Sequence, residues 1–138
     1  MSSSALKIEA LLFDLDGTLV DSAADFIVVL NNQRIKHGFK ALDERSIRNT
    51  VSNGARALTQ LAFGGSEGEE RFEQYRQELL EEYINIVGDH AKLFNGMNEI
   101  LLACEAKKIP WGIITNKPRK FSEVLLHKLN LENRCSLL

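Results

Sequence analysis

Cysteine and long apolar runs are scarce in this sequence, and each shortage excludes a class of protein. Its two cysteines, Cys104 and Cys135, are too far apart for a metal-ligand pair or for the dense pattern of a small secreted scaffold. No window approaches the roughly 18 apolar residues of a membrane helix, and the first ten residues lack the basic and apolar regions of an export signal. We therefore expect a soluble, cytoplasmic protein that binds no membrane.

Positive charge is not in excess either. Seventeen basic and nineteen acidic residues give a net charge of -2, so no broad positive surface is available for nucleic acid or anionic lipid. An anionic ligand would have to be held by a few local groups. The length, 138 residues, and the 44% apolar content are those of one ordinary globular domain.

Apolar runs alternate with stretches of helical periodicity along the chain. Residues 8–13 predict a buried strand, "KKIPWGIITN" predicts a second, short strand that starts at Pro110, and 135–138 predict the beginning of a third. Strands that alternate with helices are typical of an α/β fold with an open, mostly parallel sheet. We predict that fold class here.

The stretch between the first two predicted strands carries helical signals only. Helices are predicted over about 21–36, with Asp21 or Ser22 as the N-cap, from near Asp43, and after a break at Asn53. A long amphipathic helix is predicted over 72–87, and we assign its aromatic residues to the core. The two prolines form no linker, so domain boundaries must fall at short connectors that act as hinges. The predicted division is a core made of 1–20 and 94–138 and a helical cap made of 21–93.

Two aspartates end the first predicted strand in "LLFDLDGTLVDS". Asp14 and Asp16, at i and i+2, can project to the same side of an extended chain, and Gly17 lets the backbone turn away. One carboxylate can attack as a nucleophile while the other exchanges a proton, and both can help to hold a hard cation such as Mg²⁺. The alternative is that they are turn and cap residues, as most aspartates after strands are.

The string from Asp14 to Ser22, together with the strand before it, resembles the first signature of the haloacid dehalogenase superfamily. The resemblance implies a Rossmann-like core with an inserted helical cap. It also implies that Asp14 forms an aspartyl-phosphate, that Asp16 protonates the leaving alkoxide and then activates water, and that both acids bind Mg²⁺. The implied substrate is a small-molecule phosphate ester.

The same resemblance assigns phosphate-binding roles around the acids. In "WGIITN", Thr115 matches the threonine of the second signature, followed by Asn116 and by Lys117 of the basic stretch "KPRK". Gly17 and Thr18 would shape the loop that holds the phosphate. The alternatives are a turn hydroxyl for Thr18, a β-branched strand residue for Thr115 and a solvated helix start for Lys117.

Within the predicted cap, "SNGAR" is the best candidate for substrate selection. Backbone amides at a helix start, here at Gly54, attract anions, and Arg56 could clamp a carboxylate or phosphate with two hydrogen bonds. The alternative for Arg56 is an exposed position on a helix surface.

Motif order and spacing are similar to those of phosphoglycolate phosphatase-like enzymes, and "AKLFNGMNEIL" and "WGIITNKPRKF" are most similar to the N-acetylmuramic acid 6-phosphate phosphatases. Both substrates combine a phosphate ester with a carboxylate. Two alternatives stay open: a sugar-phosphate mutase or phosphotransferase that uses the same acids, and a non-catalytic, self-associating fragment.

Two later signatures of the superfamily, a lysine and an acidic pair that completes the Mg²⁺ site, have no match after Thr115. Because these signatures are missing, we expect the chain as given to be truncated. We also expect it to be nearly inactive, since loss of one preorganised electrostatic partner typically costs about 100- to 1,000-fold in rate. We also expect strand one to be an exposed sheet edge that promotes self-association.

Overall fold

The computed structural model describes residues 5–138, and helices make up most of the regular structure. The elements in chain order are β1 (Leu11–Phe13), β2 (Val20–Asp21), α1 (Ala23–Lys36), α2 (Glu44–Thr50), a 3-10 turn (Val51–Asn53), α3 (Gly54–Phe63), α4 (Glu70–Ile86), β3 (Lys92–Leu93), α5 (Met97–Ala106), β4 (Trp111–Ile113) and α6 (Arg119–Lys128). In this described part, no helix is both long and apolar enough to cross a membrane.

β1 and β4 pair in parallel, and their register brings the two predicted strand ends to the same edge. Leu11 lies opposite Trp111, and Phe13 lies opposite Ile113. The backbone N–H of Ile114 then donates to the carbonyl of Phe13 at 2.9 Å. The residues that follow Phe13 and Ile113 therefore leave the sheet side by side, as the carboxyl ends of parallel strands do.

β1 is shorter than the predicted 8–13, whereas β4 begins at Trp111, directly after the Pro110 that was predicted to start the second strand. Pro110 has no N–H to donate, so the ladder cannot extend past it toward the start of β4. Ile8, which we placed inside strand one, is 56% exposed and precedes the ladder. Leu12 in β1 is 55% exposed, as expected of a strand whose outer face is uncovered.

The predicted third strand over 135–138 is wrong as a regular strand. The N–H of Ser136 donates to the carbonyl of Trp111, and the N–H of Ile113 donates to the carbonyl of Leu137, both at 2.8 Å. A parallel ladder needs one residue to offer both its N–H and its C=O to the partner strand, whereas here two neighbouring residues share these roles. The segment therefore lies along β4 without forming a ladder.

A short antiparallel pair, β2 with β3, joins the two connectors that flank the helical segment. The carboxylate of Asp25, fully buried in α1, accepts hydrogen bonds from the N–H groups of Gly88 at 2.8 Å and His90 at 2.7 Å. These bonds tie the start of α1 to the end of the connector after α4. The cap and core division at residues 20 and 94 stays a prediction, although only helices occur between β2 and β3 in the described chain.

Helix starts follow local chemistry. α2 begins near Asp43 as predicted, and Asp43 is its N-cap, since Oδ1 of Asp43 accepts a hydrogen bond from the N–H of Ser46 at 2.9 Å. α1 begins at Ala23 with Ser22 at the N-cap position, which is one of the two predicted caps, because Asp21 is paired in β2. The predicted long helix is α4.

α1 and α4 pack together, and a polar cluster closes one end of their contact. The Glu78 carboxylate of α4 accepts hydrogen bonds from Gln33 at 2.9 Å and from Lys36, and it lies 2.7 Å from Nε2 of His37. Partial burial alone raises the pKa of Glu78, but these three partners hold the pKa at about 2. Glu78 is therefore ionised at neutral pH and anchors the end of α1.

Candidate active site

The loop after β1 turns back on itself and presents both acids to one cavity. Leu15, between Asp14 and Asp16, is fully buried, and its carbonyl accepts hydrogen bonds from the N–H groups of Leu19 and Val20 at 3.1 and 3.0 Å. With Leu15 held inward, the residues on either side of it face outward. Asp14 and Asp16 line a cavity of about 470 Å³.

The walls of this cavity come from four parts of the chain: the loop after β1, the helical segment, the turn after β4, and the first turn of α6. The lining residues are Asp14, Asp16, Phe26, Val51, Ser52, Asn53, Gly54, Ala55, Arg56, Arg76, Leu80, Tyr83, Thr115, Asn116, Lys117, Pro118 and Phe121. Seven of the nine residues singled out in the sequence are in this set. The structure therefore brings together side chains that lie about a hundred positions apart.

Gly17 and Thr18 lie beside the cavity rather than on its wall. The N–H of Gly17 donates to the carbonyl of Val20 at 2.9 Å, and that of Thr18 donates to Leu15 at 3.3 Å. Gly17 has φ +78°, and a Cβ there would lie 3.3 Å from Oγ of Ser52 in the helical segment. Their observed role is to form the turn, and their phosphate-binding role stays a prediction.

Thr115 follows β4 by two residues, level with the acids. Its Oγ1 accepts a hydrogen bond from the N–H of Lys117 at 3.1 Å, which starts the turn into α6. It is not a strand residue, so the alternative reading of Thr115 as a β-branched strand position does not apply. Asn116 is exposed on the cavity wall.

Lys117 is the one member of "KPRK" whose side chain is withdrawn from solvent, with 5% of it exposed. Its Nζ donates to Oδ1 of Asp16 at 3.1 Å and to the hydroxyl of Tyr83 at 2.7 Å. The ammonium also lies 5.2 Å and 4.8 Å from the ring centroids of Phe26 and Tyr83. Burial lowers the pKa of Lys117, and the charge of Asp16 opposes that shift.

A second donor fixes the same oxygen of Asp16. The hydroxyl of Ser22 donates to Asp16 Oδ1 at 2.6 Å, so Ser22, which the sequence suggested as a helix cap, orients the acid and makes no side-chain cap bond to α1. Asp14 Oδ1 accepts the N–H of Leu15 at 2.8 Å. In the described structure, the hydrogen bonds that Asp14 and Asp16 accept all end on Oδ1.

Sequence reasoning missed Tyr83 and Arg76, both on α4. Tyr83 is 1% exposed and stacks on Phe26 with ring centroids 4.2 Å apart, but its hydroxyl reaches the cavity and accepts from Lys117. Burial raises the pKa of Tyr83, so the hydroxyl stays neutral. The sequence signal that could have identified this wall is the basic Arg76. It lies four residues before Leu80 and seven before Tyr83, so the three side chains share one face of the helix.

The cap residues named from the sequence are present but more open. Gly54, with φ +89°, begins α3, and the Arg56 side chain is 58% exposed, with its Nε 3.0 Å from Oε1 of Glu67. Both line the cavity.

The carboxylate oxygens of Asp14 and Asp16 provide part of the ligand set of a magnesium site. Over the described residues, no group of three or more acidic, histidine or cysteine side chains is placed to hold a metal ion. Mg²⁺ commonly takes one or two carboxylates, substrate phosphate oxygens and waters, and two carboxylates on one cavity match that need.

A family model for haloacid dehalogenase-like hydrolases matches residues 11–137, so the chain belongs to this family. The resemblance and the α/β fold class predicted from the sequence are thereby confirmed. The fold places the paired acids at the carboxyl end of β1, which is where ligands bind in open α/β sheets.

Named relatives are phosphatases. The chain is 41% identical over 133 residues to an N-acetylmuramic acid 6-phosphate phosphatase from Pseudomonas putida, covering 96% of this chain and 60% of the relative. It is 36% identical over 129 residues to a phosphoglycolate phosphatase from Xanthomonas campestris pv. campestris, covering 94% and 58%. The chain spans about three-fifths of the length of these relatives.

Solved structures support the fold. A crystal structure of a predicted phosphoglycolate phosphatase from Haemophilus somnus matches with a TM-score of 0.80 at 24% identity, covering 94% of this chain and 61% of that one. At this identity the likeness concerns the fold alone.

Proposed function

We propose that this chain carries the nucleophile and the acid–base residue of a phosphomonoester hydrolase that acts through an aspartyl-phosphate. The observation that carries the proposal is the meeting of Asp14, Asp16, Thr115 and Lys117 on one cavity at the carboxyl ends of β1 and β4. Two carboxylates of different environment beside a cation suit phosphoryl transfer, in which positioning and charge stabilisation provide most of the catalysis.

The chemistry divides between the two acids. A carboxylate oxygen of Asp14 attacks phosphorus, and the bond between phosphorus and the ester oxygen breaks. Asp16 enters this step in its protonated form and gives that proton to the leaving alkoxide. Asp16 then takes a proton from water as that water attacks phosphorus, which frees phosphate and restores Asp14. Ser22 and Lys117 hold Asp16 in place for both transfers.

Thr115 and Asn116 are proposed to donate to phosphoryl oxygens, and the Lys117 ammonium to offset their charge. Mg²⁺ is the proposed cofactor, held by Asp14 and Asp16, and it would neutralise charge on the phosphoryl group. Removal of the metal by EDTA is expected to abolish turnover.

For the substrate, we propose N-acetylmuramic acid 6-phosphate ahead of 2-phosphoglycolate. A cavity of about 470 Å³ is in the range, about 300–1,000 Å³, that encloses a ligand of drug size, and a two-carbon acid would leave most of it unfilled. Apolar side chains, including Phe26, Val51, Leu80 and Phe121, supply a surface for a sugar ring and its acyl group. The P. putida relative is a phosphatase named for this amino-sugar phosphate.

Other narrow expectations remain predictions. Self-association through β1 is supported by its exposed outer face, with Leu12 55% exposed, and size-exclusion chromatography tests it. The cytoplasmic location and the low activity expected of these 138 residues also stay predictions.

The test of the function uses a phosphate mimic, so that it does not depend on turnover. With Mg²⁺ and beryllium fluoride, the unaltered chain should give a bound ¹⁹F resonance, and Asp14→Asn should lose it. Asp43→Asn is the matched control, because asparagine is also a good N-cap and Asp43 is outside the cavity lining. A bound resonance that survives Asp14→Asn contradicts the proposed nucleophile. Phosphate release from the two candidate substrates then ranks them.

A further inference from the structure

We infer that Arg76, assisted by Arg56, forms a carboxylate-binding subsite on the helical wall of the cavity, separate from the phosphate end at Asp14. This inference rests on the proposed function, since it takes a phosphate ester as the ligand. It assigns Arg76 the selection of esters that also carry a carboxylate.

The position of Arg76 is the first argument. It lies on α4 at the spacing of Leu80 and Tyr83, so it shares the helix face that forms the cavity wall. Partial burial of a basic side chain costs desolvation free energy, which an apolar side chain at the same position would not cost. Its side chain is 27% exposed, so an ion pair formed there is less screened than one at the open surface.

The guanidinium is held in place but not saturated. Its Nε donates to Oε2 of Glu73 at 2.8 Å, one helical turn earlier, and the N–H of Gly68 reaches the other oxygen of Glu73 at 3.4 Å. The hydrogen bond from Arg76 lowers the pKa of Glu73, so the tether stays ionised. Across residues 5–138, the two Nη atoms of Arg76 donate no hydrogen bond. Two parallel N–H donors of this kind match a carboxylate.

Charge elsewhere in the cavity directs a carboxylate to this wall. Asp14 and Asp16 repel a second anion at their end. Of the three cationic side chains that line the cavity in the described structure, Lys117 is already bonded to Asp16 and Tyr83. Arg56 and Arg76 are therefore the candidates to bind the carboxylate of a ligand, and the Arg76 side chain is the less exposed of the two. The ligand class is therefore a phosphate ester that also carries a carboxylate.

The test compares two esters that differ in the lactyl ether group that carries the carboxylate: N-acetylmuramic acid 6-phosphate, which has it, and N-acetylglucosamine 6-phosphate, which lacks it. Affinities are measured by calorimetry in an Asp14→Asn background, which prevents turnover. Arg76→Gln should weaken the carboxylate-bearing ester about 10- to 100-fold, as expected for loss of hydrogen bonds to a charged group, and should change the other ester less than about threefold. The second ester also reports whether the variant is folded.

Arg45→Gln is the matched control, because Arg45 is an exposed arginine of the helical segment that is outside the cavity lining. Equal losses for both esters in Arg76→Gln, or a loss of the same size in Arg45→Gln, overturn the subsite while leaving the proposed function intact. If the parent chain binds neither ester, the proposed function fails and the subsite fails with it.

Discussion

Replacing Tyr83 by phenylalanine removes a single oxygen atom from the cavity wall, and that oxygen accepts a hydrogen bond from a buried ammonium. Nζ of Lys117 lies 2.7 Å from it, and only 5% of the Lys117 side chain is exposed. The phenylalanine ring can keep the stacking on Phe26, so the change isolates the hydrogen bond.

The expected loss follows from the charge and the burial. A hydrogen bond to a charged group contributes about 1.5–3 kcal/mol, and the ammonium would keep Asp16 as its one remaining hydrogen-bond acceptor in the described structure. We expect the free energy of unfolding in urea to fall by about that amount. Tyr75→Phe is the control: its hydroxyl accepts from Arg71, an exposed residue, at 3.2 Å, so a change within about 0.5 kcal/mol is expected.

A double-mutant cycle separates the bond from general packing. In a Lys117→Met background the ammonium is gone, so Tyr83→Phe should cost about 1.5–3 kcal/mol less than it does in the unaltered chain. Two results would refute the reasoning: equal losses for Tyr83→Phe and Tyr75→Phe, or strict additivity in the cycle.

Two further predictions concern the helical segment. Gly88→Ala should destabilise the chain by about 2–4 kcal/mol in urea, because φ is +87° and a new Cβ would lie 2.9 Å from Cβ of Lys128. Gly38→Ala, with φ +83° and open space around it, should show only the strain of about 1–2 kcal/mol, and equal losses would contradict the contact. The Glu78 carboxyl has its pKa lowered to about 2, so its contribution, on the order of 1–3 kcal/mol, is present above about pH 4.5 and is lost as the pH falls toward 2. The stability gap between the unaltered chain and Glu78→Gln should therefore shrink on acidification, and a gap that is constant with pH would count against this account.

Local patterns predicted much of the candidate site. Asp14 and Thr115 each follow an apolar run, and a side chain just beyond a strand is placed by that strand wherever the rest of the chain goes. Because β1 and β4 are parallel, both residues reach the same edge of the sheet. The acids, the threonine and the family could therefore be named from the sequence.

The same patterns failed where backbone pairing between distant segments decided whether and where a strand forms. The first strand was predicted too long, because an apolar run does not reveal that Ile8 precedes the ladder and is exposed. The segment 135–138 has the composition of a strand, yet its two backbone bonds come from neighbouring residues and no ladder forms.

By itself, the sequence determined the chemistry at the ends of β1 and β4 and the helical character of the segment between β2 and β3. Only the tertiary structure decided that Lys117 is buried between Asp16 and Tyr83, and that Arg76 belongs to the cavity wall. The periodicity of a sequence shows which residues of a helix share a face, but it does not show which element packs against that face. The partner of each face is set by how distant elements pack, and residues 83 and 117 become neighbours through that packing alone.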